Sequence, residues 1–144
     1  MFVASLPPKP DETLSLRYSP RNFVDVTPIS LISHQTVQQL SEEVGQPLTA
    51  ERFRANFNVE WTDQAGFFEN SLIGKRLRIG DQVEVAITDR DPRCKMITLD
   101  PATAEALPDL LKHVLAEQDG CAGVYGSVVR EGFVHPNDPI EVVS

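Results

Sequence analysis

The chain has 144 residues, a formal net charge of −8 and 41% hydrophobic residues, enough for one domain that buries ~68% of its unfolded surface without a metal or disulfide staple. General negative charge argues against duplex nucleic acid, which rewards clustered Lys and Arg. No run approaches the roughly 18 apolar residues of a membrane span, Met1-Phe2-Val3-Ala4 leads into Pro7-Pro8 without a signal-peptide pattern, and the expected location is the cytoplasm.

Residues 1–24 read as an extended lead-in, rich in proline, packed on the domain. Its single strand is Leu14-Ser15-Leu16-Arg17-Tyr18, where apolar and polar residues alternate. Pro28-Ile29-Ser30-Leu31-Ile32 predicts a short strand with the proline first, where a missing donor does least harm. Ser33 then serves as N-cap of a helix to Val44, with Val37, Leu40 and Val44 on one face and Gly45 as its stop. Thr49-Ala50-Glu51-Arg52 fits a single turn. Next, Phe57, Val59 and Trp61 alternate with Asn56, Asn58 and Glu60, so Asn56 faces away from the apolar set, and Arg54 shares its face if the strand reaches back that far. Residues 62–71 read as a loop.

Leu77-Arg78-Ile79 and the run from Val83 to Ile87 flank Gly80-Asp81-Gln82 and predict a tight hairpin. After Thr88 the chain is expected to turn at Asp91-Pro92, present Cys94 on a rim loop, and begin another apolar run at Met96. Leu107, Leu110, Leu111, Val114 and Leu115 repeat with helical spacing, Pro108 sits in the first turn and Gly120 ends the helix. His113 falls off that stripe, toward solvent. Residues 123–130 and 140–143 are the last strands. Short strands, turn signals between them and about two helices predict a mainly β domain, a small β-barrel with helices attached.

There is no Gly-rich phosphate loop, no His-Glu-x-x-His and no Gly-x-Ser-x-Gly, so nucleotide-enzyme and hydrolase chemistry have no carrier. The two cysteines, Cys94 and Cys121, form no CxxC and have no histidine beside them, which argues against a structural zinc site or a disulfide framework. Cys94 lies between Arg93 and Lys95, and nearby positive charge favours the thiolate, a nucleophile and soft metal ligand. The plainer alternative is a small residue on a solvated basic rim. Of 13 Lys and Arg residues, Arg52, Arg54, Lys75, Arg76, Arg78, Arg90, Arg93 and Lys95 fall in the segment that carries this thiol. That concentration suits a small anionic ligand, although Lys75, Arg76 and Arg78 read more simply as charges on outward strand faces.

The segment Pro92-Arg93-Cys94-x-Met96-x-Thr98-x-Asp100-Pro101 resembles the cysteine segment of the MOSC domain family, found in molybdenum cofactor sulfurases and amidoxime-reducing molybdenum enzymes. Four further stretches agree in order and spacing. They are Asp25-x-x-Pro28-Ile29-x-Leu31-Ile32-Ser33; Arg52-Phe53-Arg54-Ala55-Asn56, with alanine where the family usually has proline; the run from Phe68 to Asp81; and Gly123-Val124-Tyr125 with the closing Asp138-Pro139-Ile140-Glu141-Val142. The resemblance makes residues 25–144 the MOSC domain and implies the same β-barrel. In the amidoxime-reducing relatives the cysteine matching Cys94 ligates molybdenum carried by a pterin cofactor, molybdopterin. The residues matching Asp25, Arg54 and Asn56 lie at that cofactor, and Arg93 beside the thiol is counted with them. A guanidinium suits a phosphate, and an amide suits a pterin edge.

The implied reaction is a two-electron reduction of an N-oxygenated small molecule. Those relatives also carry an N-terminal subdomain with further basic cofactor contacts, and some bacterial ones a ferredoxin domain. This sequence resembles neither and has no four-cysteine set for a cluster, so electrons are expected from a separate electron-transfer protein. The alternatives are a sulfur carrier holding a persulfide on Cys94, fed by a separate sulfur donor, and a non-catalytic barrel. Pyridoxal phosphate belongs, in the sulfurases, to a separate aminotransferase-like domain that nothing here resembles, and is not expected to bind.

Overall fold

A computed structural model describes residues 27–144; the Leu14 to Tyr18 strand and Asp25 lie outside them. Strand β1, Ile29–Ser33, ends on the serine that starts helix α1, His34–Val44. Ser33 is extended and its Oγ accepts the Thr36 N–H at 3.1 Å, while Gly45 closes the helix in the left-handed region at φ 67. Both caps stand where the sequence places them, and such an N-cap stabilises by about 1 kcal/mol.

The same N-terminus is held from outside. Glu69 is fully buried, and its carboxylate accepts from the Ser33 N–H at 3.2 Å, the Ser33 hydroxyl at 2.9 Å and the Thr36 hydroxyl at 2.7 Å. A buried carboxylate is tolerable only when its oxygens are this fully bonded, and the positive end of a helix dipole favours it further. Thr36 Oγ1 also accepts the Phe67 N–H at 2.6 Å. The segment expected to be a plain loop is therefore ordered as a 3-10 turn at Phe68–Leu72, because Glu69 points into the helix end.

The other strands are β2 (Phe57–Val59), β3 (Arg76–Ile79), β4 (Val83–Pro92), β5 (Cys121–Arg130) and β6 (Ile140–Val142). With β1 they form one curled, six-stranded sheet in the order β2-β1-β5-β4-β3-β6. The β1–β2 pair is parallel and every other pair antiparallel. One face carries Leu31, Leu77, Ile79, Val85, Ile87 and Val124, all buried. Helices α1 and α2 (Pro108–Glu117) cover the opposite side through Ile32, Leu40, Leu110, Val114 and Phe53. Mainly β with two helices is thus what the described residues show, as a half-barrel. Among them no helix is long and apolar enough to cross a membrane.

Three local expectations are corrected. Strand β4 does not turn at Asp91-Pro92 but continues through Pro92, opposite Cys121. The ladder bond at that pair comes from the Arg93 N–H to the Gly120 carbonyl, 2.7 Å, so the proline's missing donor costs nothing there. The expected apolar run from Met96 is instead a 3-10 turn, Lys95–Thr98, closed by the Thr98 hydroxyl on the Lys95 carbonyl at 2.7 Å. His113 does not face solvent freely; it is half-buried and meets Glu43 across the two helices at 2.6 Å.

Candidate functional site

Strand β4 delivers Asp91, Arg93 and Cys94 to the rim of the sheet, where they meet the turn before β2 and Tyr125 of β5. Together they enclose an open cleft of about 280 Å³, lined also by Arg52, Arg54, Asn56 and Met96. Cys94 is exposed at its edge, just ahead of the 3-10 turn.

The three arginines of the cleft have separate tasks. Arg52 is buried; its Nη1 donates to the Thr98 carbonyl at 3.0 Å and its Nη2 to Asp100 Oδ2 at 3.1 Å. Asp100 also accepts the Ala102 and Thr103 N–H groups, both at 2.9 Å. Those backbone bonds, with a smaller pull from Arg52, hold its carboxyl below the usual carboxylate range. Arg52 and Asp100 therefore fasten the turn that follows Cys94.

Arg93 is turned inward, with only 8% of its side chain exposed. Nε donates to the Ala122 carbonyl at 2.7 Å, Nη1 to the Phe53 carbonyl at 2.8 Å, and Nη2 forms an ion pair with buried Asp91 at 2.7 Å. Its guanidinium carbon lies 5.5 Å from the centre of the Phe53 ring, within cation–π range. Burial lowers the guanidinium's pKa below its ordinary value, and Asp91 opposes that shift. Gly123 makes room: at φ +83, a Cβ there would lie 2.6 Å from the Leu31 carbonyl oxygen and 3.2 Å from Arg93 Nη2.

Arg54 differs from both. It is exposed and, among the described residues, has no ion pair. Strand β2 does not reach back to it; instead it ends the Ala50–Phe53 3-10 turn in the left-handed region, φ 55. That conformation is uncommon for a side chain with a Cβ, and it sets the guanidinium on the cleft beside Asn56. Asn56 Oδ1 accepts from the Ser30 N–H at 2.8 Å and from the Ser30 hydroxyl at 3.0 Å. Those bonds leave the amide N–H groups as its donors toward the cleft.

The sequence matches the MOSC domain family over residues 19–141. The chain belongs to that family. Two relatives are molybdenum cofactor sulfurases, from Caenorhabditis briggsae (30% identical, covering 88% of this chain and 17% of that protein) and from Caenorhabditis elegans (39% identical, covering 78% and 16%). This chain thus spans about a sixth of the length of those relatives. Among solved structures, YiiM from Geobacillus stearothermophilus superposes with a TM-score of 0.63 at 25% identity, covering 82% of this chain and 55% of that one. YiiM from Escherichia coli gives 0.58 at 18% identity, covering 81% and 54%, which concerns the fold alone.

Within this MOSC domain, Cys94, Arg54, Asn56 and Arg93 line one cleft, and Asp25 lies outside the described residues. Sequence reasoning did not find Asp91 or the Arg52–Asp100 pair. Asp91 was legible, since residues two apart in a strand share a face and Asp91 and Arg93 carry opposite charges. Asp100 lies 48 residues from Arg52, and no local pattern joins them. Because Cys94 is exposed and Cys121 only half so, Cys94 should alkylate several-fold faster at neutral pH. Peptide-resolved labelling rates check this, and equal or reversed rates would remove the case for Cys94 as the accessible thiol.

Proposed function

We propose that this MOSC domain binds the molybdenum cofactor in the cleft, with Cys94 as the metal's thiolate ligand, Arg54 pairing with an anionic group and Asn56 donating to the pterin. The observation that carries this reading is Arg54, an exposed guanidinium with no ion pair among the described residues, beside an exposed thiol. Among those residues no three His, Cys, Asp or Glu side chains are grouped to hold a metal ion. One thiol on an open cleft suits a metal that arrives with ligands of its own. Arg93 supplies buried positive charge behind the thiol, and Asp25 completes the proposed set. When bound, the cofactor would supply two-electron chemistry at the metal, used here to reduce an N-oxygenated small molecule with electrons from a separate protein. This chain's own part is to hold and orient: Arg52 and Asp100 fix the turn after Cys94, and Arg54 and Asn56 fix the cofactor's polar ends.

The Arg54→Ala variant should lose roughly 1.5 to 3 kcal/mol of cofactor binding, about a ten- to hundredfold drop in affinity. Its melting midpoint should stay near wild type, since an exposed side chain is lost and alanine meets the same left-handed backbone cost. Cofactor reconstitution and a melt on the same variant, beside Cys94→Ala, test this; normal reconstitution by Arg54→Ala rejects the assignment.

A second reading is favoured by the relatives, which are named as sulfurases of this cofactor: Cys94 carries a persulfide and brings sulfur to the cleft. Exposure of the thiol serves that reading equally well, because a sulfur donor has to reach it. Molybdenum in protein from its own host supports the first reading, and sulfane sulfur on Cys94 the second.

A further inference from the structure

Neither reading uses Cys121, yet the fold pairs it with Pro92, two residues before Cys94. Pro92 and Cys121 are cross-strand partners, and the Arg93 N–H to Gly120 carbonyl bond of 2.7 Å extends that pairing by one residue. Cys94 itself is still extended, φ −115 and ψ −176. With a period of two, it leaves the strand on the side that Pro92 and Cys121 share. Diagonal neighbours in such a pair lie about 7–8 Å apart at Cα, and somewhat less at Cβ. A disulfide needs roughly 4.4–6.8 Å between Cα atoms, so joining the two cysteines takes a movement of the rim. The buried Arg93 guanidinium interacts electrostatically with both thiols, which places one fixed cation near the pair. Cys121 is half exposed, and its Sγ makes only a long contact of 3.7 Å with the Asp119 carbonyl. It is neither sealed in the core nor tied down.

We propose that Cys121 is a resolving thiol that releases the sulfur held on Cys94 as sulfide, an inference that rests on the sulfur-carrier reading. A persulfide donor first converts Cys94 to Cys94–S–SH. The Cys121 thiolate then attacks the inner sulfur, the one bonded to the Cys94 Cβ. A Cys94–Cys121 disulfide forms, the bond to the outer sulfur breaks, and that sulfur leaves as HS⁻, keeping its proton and taking the bonding pair. The two cysteines together lose two electrons and the sulfane sulfur gains two. A dithiol reductant returns the disulfide to two thiols for the next cycle. An acceptor that takes up sulfide rather than sulfane sulfur would need this step.

The test loads the full chain with glutathione persulfide without oxygen, removes the excess, and follows sulfide release and the cysteine peptides by mass spectrometry. Wild type should release sulfide in step with an intramolecular Cys94–Cys121 linkage. Cys121→Ser should keep the extra sulfur on Cys94 and release it about tenfold more slowly or worse, the loss expected when an intramolecular attack is removed. Sulfide release from Cys121→Ser at the wild-type rate, or disulfides only between chains, overturns the proposal. Sulfur retained on wild-type Cys94 without release rejects the role of Cys121 alone. Failure of Cys94 to take up sulfur at all rejects the carrier reading with it.

Discussion

Arg93→Ala is expected to lower stability by about 3 to 5 kcal/mol, the cost of removing one partner of a buried ion pair. For a domain of this length that is a fall of roughly 10 °C or more in the melting midpoint. The size follows from what Arg93 joins: buried Asp91 at 2.7 Å, the carbonyls of Phe53 and Ala122, and the Phe53 ring. Removal leaves Asp91 without that counter-charge and detaches the turn before β2 from β5. Arg93→Lys should recover part of the loss, since an ammonium keeps the charge but not the fork of donors. The Asp91→Asn/Arg93→Ala double variant should cost less than the sum of the single variants, because the pair acts as a unit. A thermal melt within about 2 °C of wild type for Arg93→Ala would show that the guanidinium does not hold the rim together.

The second large effect is expected at Glu69. Glu69→Ala takes the acceptor away from the Ser33 N–H and from the hydroxyls of Ser33 and Thr36 in a fully buried place, and hydrogen bonds to a charged group contribute about 1.5 to 3 kcal/mol each. The three are not independent, and a loss of about 3 kcal/mol or more is expected from denaturant unfolding. Glu69→Gln should be milder, since the amide oxygen keeps one acceptor in place. Amide exchange should speed up first at the start of α1. Labelling of Cys94 should not change, because Glu69 does not line the cleft. A Glu69→Ala variant within about 1 kcal/mol of wild type would mean that the helix end finds other acceptors.

The local structure was legible wherever it depends on neighbours in sequence. Ser33 and Gly45 bound α1 as a capping serine and a left-handed glycine should, and the Leu77–Ile79 and Val83–Ile87 alternation gave the hairpin its inner face. The cleft was legible through the resemblance, which brought Arg54, Asn56 and Cys94 together before any geometry. Charge counting failed to separate the arginines. Arg52, Arg54 and Arg93 look alike as a basic cluster near a thiol, yet two of them are committed to Asp100 and Asp91, and among the described residues Arg54 alone of the three has no ion pair. The difference is made by burial and by partners distant in sequence, which alternation does not record. Arg54 reached the expected neighbourhood by an unexpected path, through a left-handed turn residue rather than an extended strand.

The place of β5 in the sheet bears on how the molecule acquires its cleft. It is the fifth of the described strands along the chain but the third across the sheet, wedged between β1 and β4, so the two halves of the rim are joined only once it has inserted. Its pairing with β1 links Leu31 to Val124, a long loop to close, and contacts of that kind slow folding. Arg93 cannot reach Phe53 and Ala122 together until that closure is complete. During synthesis the other residues of the cleft leave the ribosome before Tyr125 does, and Cys94 spends that interval on an unfinished chain.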